Sequence, residues 1–177
     1  YNEAAALDAN PLFRQLSGNI VFPGFTAPKL CWVAWHEPEI FQKIAKVLLP
    51  KDCLRWWLTG EYVSDMSDAA GTAWLDVGKR QWSAPLLAAC GLTEEHMPRL
   101  VEGTAVSGQL RPELAQRWGM GAVVVAGGAG DNAASACGMG TVAAGSAFVS
   151  LGTSGVLFAA TDRYMPNPDS AVHTFCH

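Results

Sequence analysis

Basic side chains are few in this sequence and nowhere clustered. Lysine and arginine number 12 against 16 aspartates and glutamates, giving a net charge of −4. Polyanions are held by concentrated lysine and arginine, so neither nucleic acid nor an anionic membrane surface is expected as a partner. No apolar run approaches the ~20 residues that a bilayer-crossing helix needs, and no signal peptide is visible. The five cysteines (31, 53, 90, 137 and 176) are odd in number, scattered, and form no Cys-x-x-Cys. That pattern favours reduced thiols in a cytoplasmic enzyme over a disulfide framework. Repeats and low-complexity tracts are absent. No Gly-Lys-Ser/Thr follows a glycine run, which removes a Walker loop. Val156 takes the last glycine's place in Gly152-Thr153-Ser154-Gly155-Val156, which removes a nucleophile elbow. Gly128-x-Gly130-x-x-Ala133 mimics a dinucleotide fingerprint, but the acid that would hold the ribose about 20 residues on is missing near Ser150.

Apolar residues make up 50% of the 177 positions and charged ones 16%, enough to bury a real core. Seven tryptophans either enlarge that core or face surfaces beyond this chain. Local signals predict a helix over 2–9 and another opened by Asn10-Pro11, with Asn10 as N-cap. Further helices are expected over 27–35, from Glu37-Pro38-Glu39 to Ile44 or Val47, and over 51–58. The last of these sets Leu54, Trp57 and Leu58 on one face and stops at Gly60. Ser64 to Thr72 reads as a loop, because serine and aspartate bond their own backbone in turns. Helices over 82–90 (closed by Gly91), after Thr93, and over 112–118 (closed by Gly119) complete an alternation with strands that means α/β.

The chemistry concentrates late in the chain. Val123-Val124-Val125-Ala126 reads as a buried strand, Gly127-Gly128-Ala129-Gly130 as a tight turn, and the small residues after it as a closely packed helix. Asp131, with Asn132 beside it, sits where a strand would deliver a general base. Its structural alternative is the N-cap of the following helix. Ala147 to Leu151 and Val156 to Ala160 read as two strands joined by Gly152-Thr153-Ser154-Gly155. That turn offers amides and hydroxyls as a phosphate cradle, or is an ordinary β-turn. Lys29 and Lys51 have a phosphate-binding reading, with helix-end solvation preferred. Asp65 with Asp68 as a metal pair, and His173-x-x-x-His177 around Cys176 as a zinc site, are the weaker alternatives to a hydrogen-bonded turn and a chance spacing.

Several separated segments together resemble the FGGY carbohydrate kinases, most closely their bacterial xylulokinase branch. They are Pro23-Gly24-Phe25-Thr26-Ala27-Pro28-Lys29-Leu30-Cys31-Trp32 with His36-Glu37-Pro38-Glu39, and Leu48-Leu49-Pro50-Lys51-Asp52 with Thr59-Gly60-Glu61. Ser64-Asp65-Met66-Ser67-Asp68-Ala69-Ala70-Gly71-Thr72 follows, then Gly130-Asp131-Asn132-Ala133-Ala134 with Ser150-Leu151-Gly152-Thr153-Ser154-Gly155. In order and spacing they run from about Gly18 to His177. Trp35, where the family pattern has a polar residue, and Ala129, where a third glycine is common, depart from it.

The resemblance implies an actin-like ATPase fold of ribonuclease-H type, with an incomplete first domain over 1–141 and the start of a second over 142–177. It also implies an internal piece of about a third of an enzyme, since the family's opening Asp-x-Gly-Thr-Ser loop is not found. The implied reaction is transfer of phosphate from ATP, with Mg²⁺, to D-xylulose, giving D-xylulose 5-phosphate, in an enzyme that could be a homodimer. Asp131 would be the catalytic base, Asp131 and Asn132 would bind the sugar, and Gly152, Thr153 and Ser154 would hold ATP phosphates. The Ser64–Thr72 loop would be a structural signature. Ribulose, gluconate, fuculose or glycerol are the alternative substrates, and a non-catalytic sugar- or partner-binding remnant is the alternative role.

Overall fold

The computed structural model describes residues 1–177. Its amino-terminal third is a helical layer: α1 (Asn2–Asp8), α2 (Pro11–Ser17), α3 (Thr26–His36), α4 (Pro38–Phe41) and α5 (Pro50–Thr59). Asn10 caps α2, its side chain accepting from the N–H of Leu12. Gly18 and Gly60 end α2 and α5 at φ of 71° and 85°, a left-handed conformation that costs glycine little.

Next come β1 (Val63–Asp65), α6 (Met66–Ala69), β2 (Leu75–Asp76), β3 (Gln81–Trp82), α7 (Ala84–Ala88) and β4 (Arg99–Val101). β5 (Val106–Gln109), α8 (Pro112–Arg117), β6 (Val124–Ala126), α9 (Asp131–Gly138), β7 (Ala147–Leu151) and β8 (Gly155–Ala159) complete the chain. The strands form two-stranded ladders: β1 with β4 in parallel, and β2 with β3, β5 with β6, and β7 with β8 antiparallel.

The main core lies between α1–α3 and the segment from Ala73 to Met97, with Phe13, Trp74, Leu86 and Leu87 fully buried. The indole N–H of Trp74 donates to Cys90 Sγ at 3.3 Å, so the largest core residue buries no unpaired donor. A second cluster joins Ala69, Ala70, Leu75 and Val77 to Cys176. The end of the chain returns to the first layer. Thr174 N–H donates to Asn19 Oδ1 at 2.7 Å, and Asn19 Nδ2 donates back to Thr174 O at 3.0 Å.

Four expectations change. The helix from Pro38 ends at Phe41, because the chain beyond it pairs elsewhere: Val47 N–H donates to His96 O and Lys46 Nζ to Met97 O. Ser64–Thr72 is not a loop. Asp65 ends β1 and caps α6, accepting from the N–H groups of Ser67 and Asp68, so the Ser/Asp pattern starts a helix. The strand before the glycine turn is not buried: Val124 is 56% exposed, since β6 has β5 on one side and no strand on the other. Helix α5 buries Asp52 and Arg55, while Leu54 and Trp57 face outward.

Candidate active site

The turn from Gly127 to Gly130 is built by close backbone approach. A side chain on Gly127 would run into the carbonyl of Glu102 and lie 3.0 Å from Val101 Cγ2. Gly127 N–H donates to Ala105 O and Gly128 N–H to Gly103 O, both at 2.9 Å. Gly128 has φ of 73°. At the far end, Gly130 N–H donates to Ser67 Oγ at 2.9 Å.

Asp131 is then the first residue of α9. The N-cap is Gly130, with no side-chain cap bond, so the capping reading of Asp131 does not hold. The Asp131 carboxylate is exposed, and its Oδ1 accepts from Asn132 N–H at 2.8 Å and lies 3.4 Å from Asn132 Nδ2. Its other oxygen bonds no protein group, which leaves it able to accept a proton from a bound hydroxyl. Small residues behind it, Ala133 and Ala136, are the ones α9 buries.

The second predicted element is present as a hairpin. β7 and β8 pair from Ala147↔Ala159 to Leu151↔Gly155, with Phe148 stacked on Phe158 at 5.3 Å. Gly152, Thr153 and Ser154 are exposed at its tip. The Gly152 amide is spent inside the turn on Ser154 O at 3.0 Å, while a Cβ at Gly152 would meet nothing closer than that same oxygen, 3.9 Å away. No hydrogen bond links this tip to Asp131 or Asn132.

A cluster that sequence reasoning passed over lies behind the glycine turn. Lys51 Nζ stands 2.7 Å from Asp52 Oδ1, 2.6 Å from Asp65 Oδ1 and 3.2 Å from Asp68 Oδ2. Lys51 is therefore held by three carboxylates and only partly solvated. Burial works against its charge, yet the bonds to Asp52 and Asp65 outweigh it and raise its pKa. The pKa of Asp68 is raised too, but against its charge: burial, with Asp65 and Asp52 nearby, lifts its carboxyl above the usual range despite Lys51. The Lys51 ammonium occupies the place a metal would take between Asp65 and Asp68. Arg55 Nη1 donates to Asp52 Oδ1 at 2.7 Å and Val63 O at 2.6 Å, and Nη2 donates to Gly127 O. The run Lys51-Asp52 with Ser64-Asp65-Met66-Ser67-Asp68 was the available signal, but charge in a sequence does not name its partner.

The other candidates have structural places. Lys29 Nζ donates to Phe25 O at 3.0 Å and to Gly24 O, so it ties down the turn before α3. His173 packs among Phe22, Phe25 and Phe175, and burial lowers its pKa. His177 sits edge-on to Phe158, its Nε2 3.0 Å from Thr141 O, and Cys176 is buried beside Val77.

Residues 3–138 match the family described as "FGGY family of carbohydrate kinases, N-terminal domain". The chain belongs to this family. The FGGY chain is 57% identical over 176 residues to the xylulose kinase of Escherichia coli K12, covering 99% of this chain and 36% of that protein. It is 59% identical over 164 residues to the xylulose kinase of Klebsiella pneumoniae, covering 93% and 34%. Its structure superposes on the crystal structure of a "xyloylose kinase" from Brucella ovis with a TM-score of 0.98 at 70% identity, over 100% of this chain and 37% of that one. The fold is thus the actin-like ATPase fold of FGGY kinases. The chain spans about a third of the length of the curated relatives it matches.

Proposed function

We propose that this chain supplies the general base and part of the nucleotide site of an ATP-dependent kinase that converts D-xylulose to D-xylulose 5-phosphate. The observation that carries the reading is Asp131, an exposed carboxylate at the first residue of α9 that is not spent on capping. A sugar hydroxyl is a poor nucleophile at neutral pH. Asp131 would accept its proton as the oxygen attacks the γ-phosphorus in line, and the bond to the bridging oxygen breaks to release ADP. Asn132 would hydrogen-bond the sugar. Thr153 and Ser154 would donate to phosphate oxygens, and Gly152, whose amide closes the turn, would leave the open space those oxygens need. Mg²⁺ would be carried largely by phosphate oxygens and water. Bound there, Mg²⁺ neutralises phosphate charge.

The choice of D-xylulose rests on the names of the E. coli and K. pneumoniae relatives. The domain boundary proposed near 141 follows the end of the family match at 138 and the self-paired β7–β8 hairpin. Five free thiols suit a reducing, cytoplasmic setting, and the exposed Trp57–Trp118 pair gives a homodimer an apolar surface. The test uses a full-length protein carrying this segment. Asp131→Ala should lower turnover ~10²–10⁴-fold with melting temperature and ATP binding retained. Turnover above a tenth of the unsubstituted enzyme sinks the assignment, and faster turnover of ribulose, gluconate, fuculose or glycerol replaces the sugar.

A further inference from the structure

The turn that presents Asp131 is rich in glycine, which permits close approach but supplies no side chain to hold the backbone still. Its two ends are gripped from outside. At one end Arg55, only 5% exposed, donates to the carbonyl of Gly127, 72 residues away in sequence. At the other end Ser67 Oγ accepts from Gly130 N–H while donating to Asp65 Oδ2 at 2.5 Å. Both grips lead back to the same buried charges: Arg55 is fixed by Asp52, and Asp65 by Lys51.

Burying such a group of charges is a poor way to gain stability, since apolar replacements of similar volume are often as good or better. What apolar residues cannot do is bond a carbonyl at one end of a turn and an amide at the other. We propose that Arg55 and Ser67 are positioning residues for Asp131, fixing the Gly127–Gly130 turn at both ends and so the direction of the carboxylate. The proposal rests on the general-base reading of Asp131. Neither residue need touch sugar or nucleotide. Their effect is on geometry, where displacements near 1 Å at the reacting atoms cost up to ~10²-fold in rate.

The experiment uses the full-length enzyme carrying this segment. Ser67→Ala removes the grip on Gly130 with little change of volume. Arg55→Lys keeps a cation beside Asp52 but loses the planar fork that reaches Val63 O and Gly127 O together. Each should lower kcat ~10-fold or more while KM for sugar and ATP stays unchanged, and Ser67→Thr, which keeps the hydroxyl, should recover most of the loss. In an Asp131→Ala background, Ser67→Ala should add less than ~2-fold, because a misplaced base cannot be lost twice. The same fractional loss in both backgrounds would mean a purely structural role and overturns the proposal, as does full kcat in a folded Ser67→Ala enzyme. If Arg55→Lys fails to fold, the Ser67 cycle decides alone. Failure of the general-base reading is seen separately, in the Asp131→Ala enzyme by itself.

Discussion

Lys51 and Asp65 meet at 2.6 Å between Nζ and Oδ1, joining the first turn of α5 to the end of β1. Asp65 is 1% exposed and Lys51 keeps 27% of its side chain in solvent, so the pair is desolvated on one side only. Through Asp52 and Asp68 the same ammonium balances two further carboxylates. The residues that sequence patterning would place in water are those that join α5 to the glycine turn.

Removing that cation should be costly. Lys51→Met leaves Asp52 buried with Arg55 as its cation and Asp65 buried with none. Breaking a fully buried pair costs about 3–5 kcal/mol, and partial exposure of Lys51 brings the expected loss toward the lower end. Chemical denaturation at pH 7 measures it. A loss under about 1 kcal/mol means the pair behaves as an ordinary surface bridge. Because the folded pKa of Lys51 is raised from 10.5, its contribution should be complete below pH 10.5 and fade as pH climbs through the folded value.

Asp68 should lose its contribution in the same pH direction, but as a group whose charge the fold disfavours. Its folded pKa lies above 3.8, chiefly through burial, so the folded chain binds the proton more tightly than the unfolded one. Stability contributed by this group is greatest below pH 3.8 and falls as pH rises through the folded value. Asp68→Asn should therefore be neutral or stabilising at pH 7, with its advantage over the parent vanishing toward pH 3. Paired melts across that range measure it, and clear destabilisation at pH 7 would show that the 3.2 Å contact with Lys51 outweighs burial.

Two glycines should respond differently to one methyl group. Gly127→Ala forces a side chain against the Glu102 carbonyl, and overpacking of this kind costs about 1–3 kcal/mol. Gly121→Ala has nothing within 4 Å of the added carbon and no positive φ, so its melting temperature should stay the same or rise slightly. Equal melting temperatures for the two variants would remove the close-approach argument for the turn.

At the hairpin tip, Gly152→Val or Gly155→Val should raise KM for ATP or lower turnover in the full-length enzyme, with KM for sugar little changed. Space is available for the added side chain, with the nearest atoms 3.9 Å from Gly152 and 3.6 Å from Gly155, so the hairpin itself should survive. Titration with ATP measures it, and equal affinity in parent and variants rejects the phosphate role.

Local signals were legible where a residue acts on its own neighbours. Asn10 with Pro11 opens α2, Gly60 closes α5, and Gly152–Gly155 turns the β7–β8 hairpin, because caps and tight turns are decided within a few residues. Ser64–Thr72 was misjudged for the same physics: aspartate and serine serve both loops and helix starts, and Asp65 caps α6.

The sequence by itself determined where α2 opens, where α5 closes, the family, and the acid that follows the glycine turn, since each is written in contiguous residues. Tertiary structure alone decided which face of α5 is buried. Leu54 and Trp57 look inward by composition, yet Asp52 and Arg55 are the residues enclosed. Their burial becomes tolerable only when Lys51 pairs with Asp52 and the carbonyls of Val63 and Gly127, outside the helix, arrive to meet Arg55. A charge is hidden or exposed according to its partner, and that partner is known only once the chain has folded.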